Sequence, residues 1–105
     1  MRDGLVRAEA YLQNDVFASA VQFAGTEGII PAPEAAHAIH GAIGVARAAD
    51  EAGEERTILF NLSGHGHFDM AAYDNYFAGK LEDVALDEAE MERALRAIEG
   101  LPVPA

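Results

Sequence analysis

No cysteine occurs anywhere in this chain, which excludes disulfides, thiolate metal sites and a cysteine nucleophile. The lack of disulfide chemistry fits a cytoplasmic protein. Cations are scarce as well: Lys80 is the single lysine, the arginines are dispersed, and the net charge is −11. Nucleic acid and anionic membrane surfaces both require clustered Lys and Arg, so neither is expected as a partner. No apolar run approaches the roughly 20 residues of a membrane-spanning helix. The opening Met1-Arg2-Asp3-Gly4 has no apolar stretch of the signal-peptide kind. Tryptophan is absent and aromatics make up only 8% of the chain, so much of its apolar content is small. Its 105 residues leave room for one small domain. A chain of that size buries only about 60–65% of its unfolded surface. Such a core stabilises weakly and leaves open a need for a partner.

What is present divides into helical patterns around one apolar run. Gly4 to Leu12 reads as an extended entry. Asn14 or Asp15 is placed to cap a helix whose stripe is Val16, Phe17, Ala20, Val21 and Ala24, bracketed at its end by Gly25 and Gly28. Pro31 and Pro33 hold the next stretch extended, and Pro33 suits the first turn of a new helix. That helix is expected over Pro33–Ala52, ending at Gly53, with Ile39, Ala42, Ile43 and Ala46 buried. Glu34 and His37 point away from that face, and His40 lies on its flank. After a polar linker, Thr57-Ile58-Leu59-Phe60 reads as a buried strand, and a helix follows from Met70 to about Phe77, closed near Gly79. A helix, a strand and another helix in succession point to an α/β fold, with helices packed around one or a few mainly parallel strands. The last 25 residues hold seven acids against Arg93 and Arg96. There Asp87 with Glu90 makes a capping box, Leu86 is placed to staple onto Met91, and Met91, Ala94, Leu95 and Ile98 form an apolar stripe. Gly100 is the expected stop, followed by a loose L-P-V-P-A tail.

The chemistry concentrates where the apolar run empties into Ser63-Gly64-His65-Gly66-His67. A strand that ends in a glycine-rich polar loop before a helix is where open α/β sheets hold ligands. His65, His67 and Asp69 repeat the H-x-H-x-D spacing of metallo-β-lactamase-type hydrolases, and two imidazoles with a carboxylate can hold zinc. Met70 stands where that family has its next His, and no histidine follows His67. Glu34, His37 and His40 also have ligand types, but on a helix they fan out too widely for one ion. Ser63 lacks the G-x-S-x-G elbow of a serine hydrolase, since Asn61 replaces the first Gly.

Two stretches taken together are more specific. E-G-I-I-P-A-P-E-A-A-H-A at Glu27–Ala38, then F-N-L-S-G-H-G-H-F-D at Phe60–Asp69, resemble the C-terminal part of the tryptophan synthase β chain, and its second type in particular. The commoner form of that chain has Arg in place of His65. A-Y-D-x-Y at Ala72–Tyr76 continues the likeness. It covers residues 4–81, with 82–105 as an acidic amphipathic helix and tail on the same single domain. Ala35 stands where the family has Ser.

The resemblance implies a fragment of a fold type II pyridoxal-phosphate enzyme. It assigns Ser63 to the pyridine nitrogen of the cofactor, Glu34 to a place near the ring, and Gly64 and Gly66 to making room for it. It implies the chemistry of serine and indole going to tryptophan. The Schiff-base lysine and the phosphate-binding glycine loop of the family have no match here, and Lys80 lies in a different context. Catalysis therefore requires an N-terminal chain of the same family as partner. Two other readings stand beside this one. The chain is then either a vestigial or interaction module that self-associates through uncovered apolar edges, or a small metal-dependent hydrolase using His65, His67 and Asp69.

Overall fold

The computed structural model describes residues 5–84 and 87–97. Four α-helices follow one another: α1 (Gln13–Glu27), α2 (Pro33–Ala52), α3 (Met70–Phe77) and α4 (Glu88–Ala97), with a short 3-10 turn at Gly66–Asp69 running into α3. α2 begins at Pro33 and ends at Gly53, as the prolines and glycine dictate. Gly28 (φ 69°) and Gly53 (φ 65°) close α1 and α2 in the left-handed region, where a side chain is strained.

The core lies where α1 crosses α2 and receives α3. Val16, Phe17 and Ala20 of α1 are buried with Ala36 and Tyr73. Phe17 meets Tyr73 edge-on at a centroid distance of 5.0 Å and stacks on Tyr76 at 5.5 Å. Ile39 is buried as expected, whereas Ala46 is exposed and Ala49 takes its place inside. Ala42 and Ile43 are half-buried, and Ala46 stays on their face but lines an open groove with Ile58 and Phe60.

Two expectations need correction. Neither Asn14 nor Asp15 caps α1 from its own first turn: α1 starts at Gln13, its N-cap is Leu12, and no side-chain cap is made there. The start is held from far along the chain instead. Asp83 Oδ1 accepts the Asn14 N–H at 3.0 Å, the Asn14 amide donates to Leu81 O at 3.1 Å, and the Gln13 amide donates to Glu82 O.

The second correction concerns the strand, and with it the α/β reading. Among the described residues no strand is formed, and Thr57–Phe60 runs outside any helix or sheet. Leu59 is 96% exposed, while Ile58 and Phe60 are half-buried against α2. A strand needs a neighbour to exchange hydrogen bonds with, and the described chain offers this run none.

α4 forms where its capping pattern places it. Asp87 does cap it, accepting the Ala89 N–H at 2.9 Å. Yet Met91 and Leu95 stay exposed, so this amphipathic helix buries its stripe on nothing among the described residues. Leu86, Ile98, Gly100 and the tail lie outside the described residues. The Cα radius of gyration is 16.8 Å, against about 13 Å for a compact domain of this length. That is larger than one compact core would give.

Candidate functional site

The two sequence motifs meet in space. Residues 29–32 approach α2 in extended form, and the loop that follows Phe60 lies against them. The Ala32 N–H donates to Ser63 O at 3.1 Å, and the Gly66 N–H donates to Ile30 O at 3.1 Å. Below this junction Pro31 is fully buried, and its carbonyl accepts the Tyr73 hydroxyl at 2.7 Å. Burial pushes the Tyr73 phenol above its ordinary pKa, and the Asp69 carboxylate adds to the shift. The polar loop is thereby fixed to the start of α2 on one side and to α3 on the other.

The glycines make this meeting possible. A Cβ on Gly66 would lie 2.5 Å from Ile30 Cγ2, 2.9 Å from Ile30 O and closer still to Pro31 O. Gly66 therefore serves the close approach of two backbones. The space expected there for a flat ring is filled by the chain itself, and this overturns that part of the reading. Gly64 is exposed, and its Cβ direction meets Ile29 Cγ2 at 3.2 Å.

Ser63 is half-buried, and its Oγ lies 2.7 Å from Nδ1 of His65. Glu34 is exposed in the first turn of α2, where a carboxylate is favoured by the helix N-terminus. The Ala32–Ser63 hydrogen bond sets this turn beside Ser63.

The histidines are placed differently from a metal centre. His65 is engaged with Ser63, the His67 ring packs on Phe68 at 4.2 Å, and the two imidazole centroids are 6.4 Å apart. Among the described residues no group of three His, Cys, Asp or Glu side chains is arranged to hold a metal ion, so His65, His67 and Asp69 do not converge on one. The Glu34, His37 and His40 set is dispersed too. His37 Nδ1 donates to Pro33 O at 3.2 Å, and His40 Nδ1 lies 2.8 Å from Ser19 Oγ between α1 and α2.

Sequence reasoning missed two of these partnerships. The link between Ser63 and His65 was readable from their i, i+2 spacing in a glycine-flanked loop. The Ser19–His40 pair was not, because it depends on how two helices cross. Among the described residues no helix is long and apolar enough to cross a membrane.

Comparison with known proteins agrees with the paired motifs. The chain is similar to tryptophan synthase beta chain 2 of Methanosarcina acetivorans, 65% identical over 79 residues, which is 75% of this chain and 18% of that relative. Tryptophan synthase beta chain 2 of Aquifex aeolicus is 60% identical over 80 residues, 76% of this chain and 18% of the relative. Tryptophan synthase beta chain of Thermococcus gammatolerans is 57% identical over 84 residues, 80% of this chain and 19% of the relative. No family model matches the chain, and no solved structure matches it. It spans under a fifth of the length of these relatives. Over three quarters of its residues, the chain carries a segment of the tryptophan synthase beta chain family.

Proposed function

We propose that this chain is the C-terminal part of a tryptophan-synthase-β-like enzyme of fold type II, and that it supplies Ser63 and Glu34 to a pyridoxal-phosphate site completed by another chain. The observation that carries this reading is the backbone junction of residues 30–32 with 63–66, in which Ser63 O accepts the N–H of Ala32, the residue that precedes α2.

The residues present fit one edge of the cofactor. A hydroxyl can donate to a pyridine nitrogen or accept from it, so it does not force that nitrogen into its protonated form. Ser63 is half-buried with its Oγ against His65 Nδ1, while Gly64 and Glu34 are exposed. Pyridoxal phosphate, when bound, supplies an electron sink suited to elimination and replacement at a serine substrate. Ser63 would orient the ring, and the Glu34 carboxylate would add a fixed negative charge near it. One neutral hydrogen bond contributes only about 1 kcal/mol. Tight binding thus depends on a lysine and a phosphate cradle from elsewhere, for Lys80 is exposed beyond the end of α3.

The uncovered surface supports a completing chain. A groove of about 240 Å³ is lined by Phe23, Ile39, Ile43, Ile58 and Phe60 among others. The Thr57–Leu62 amides have no hydrogen-bond partner among the described residues. We take the partner to be the N-terminal part of a protein of the same family. The test is to mix the purified chain with such an N-terminal part and follow the visible absorption of pyridoxal phosphate and the turnover of indole with serine. Turnover in the mixture and in neither part alone is the expected result. A mixture that neither binds the cofactor nor turns over would sink the proposal, and a stable homodimer of the chain alone would favour self-association instead.

A further inference from the structure

The Ser63 hydroxyl has one proton and two lone pairs, and its Oγ lies 2.7 Å from His65 Nδ1. That contact has two possible directions. If Nδ1 accepts, the hydroxyl proton is used, and Ser63 offers a ligand lone pairs alone. An unprotonated pyridine nitrogen, itself a lone pair, then has nothing to bind. If Nδ1 carries a proton, His65 donates to Oγ, and the hydroxyl proton stays free for the ligand. The imidazole is held where it can play this part. His65 O accepts the Phe68 N–H at 3.1 Å as the 3-10 turn begins, and its ring lies 6.1 Å from that of Phe68.

We propose that His65 is the positioning residue for Ser63: by donating Nδ1–H to Oγ it turns the hydroxyl into the hydrogen-bond donor for an unprotonated pyridine nitrogen. Ring binding and the His65 proton position are then coupled, since the ligand selects the Nδ1–H form. This inference rests on the reading that Ser63 meets a pyridine nitrogen, and it adds the residue that decides which partner in that bond donates.

The experiment uses the full chain labelled uniformly with ¹⁵N and mixed with the unlabelled N-terminal part, observed by NMR without ligand and with millimolar pyridoxal phosphate. A control ligand is the same molecule with the ring nitrogen replaced by C–H. Without ligand, Ser63→Ala is expected to shift the His65 Nδ1 resonance. With pyridoxal phosphate, that resonance is expected to move to the protonated position, and the ring-carbon analogue should not move it. His65→Ala should weaken pyridoxal phosphate binding on the order of fivefold. His65→Asn, whose amide reaches the place of Nδ1, should restore most of it, and His65→Gln should not. If Ser63→Ala leaves His65 unchanged, or if the ligand perturbs residues 61–66 while Nδ1 stays unprotonated, the role of His65 is overturned and the reading of Ser63 stands. If neither ligand perturbs residues 61–66, the reading of Ser63 fails and the inference falls with it.

Discussion

Gly66 occupies a position that no side chain can share, because its missing Cβ faces the carbonyls of Ile30 and Pro31. Gly66→Ala must push apart the two segments that carry Ser63 and Glu34. Overpacking against backbone of this kind costs about 1–3 kcal/mol or more. Urea denaturation should show that loss. Gly44, in mid-α2 with nothing within 4 Å of its Cβ direction, is the contrasting case. There Ala removes backbone freedom from the unfolded chain and should stabilise by about 0.5–1 kcal/mol.

Tyr73 links the junction to the core through Pro31 O. Burial raises its pKa, with Asp69 contributing, so the folded state favours the neutral phenol. The stabilisation is present below the ordinary tyrosine value of about 10 and is lost as pH rises through the raised folded value. Helix circular dichroism should therefore fall in step with phenolate absorbance on the alkaline side. Tyr73→Phe should abolish that step, while costing about 1 kcal/mol at neutral pH for the lost hydrogen bond.

At the scale of elements, α2 and α3 were the most legible in the sequence. Pro33 fixes one end of α2, Gly53 the other, and each acts through its own backbone. α1 was legible in its buried stripe but not at its start, because the groups holding that start come from Leu81, Glu82 and Asp83. No local pattern encodes a cap supplied from the other end of the chain. Asp83→Ala should cost about 0.5–2 kcal/mol, the range for a lost N-cap acceptor, and thermal unfolding should detect it. Thr57–Phe60 forms no strand among the described residues for a related reason. Its residue types favour a strand, but strand formation is a property of pairs, and the second member is not in the described chain. The junction between residues 30–32 and 63–66 was legible only as two motifs with one expected ligand. The structure adds that they bind each other first, which is why Gly66 proved to be a packing residue.

For the molecule as a whole, the uncovered surfaces set the expectation. In hydrogen–deuterium exchange of the chain alone, the Thr57–Leu62 amides should exchange at nearly the unprotected rate, while α1 and α2 amides are slowed. Addition of the completing chain should protect them, and protection confined to other segments would show that the partner docks elsewhere. The same run has another consequence when no partner is near. T-I-L-F-N-L carries no charge and no proline, has high β-propensity, and leaves its backbone groups unsatisfied. Those are the attributes of a segment that stacks into cross-β fibrils. Stored alone at high concentration, the chain should develop thioflavin-positive fibrils after a lag that seeding shortens. Leu59, almost wholly exposed, is the place to interrupt the stack. Leu59→Lys should leave the melting temperature unchanged and prevent the fibrils from forming.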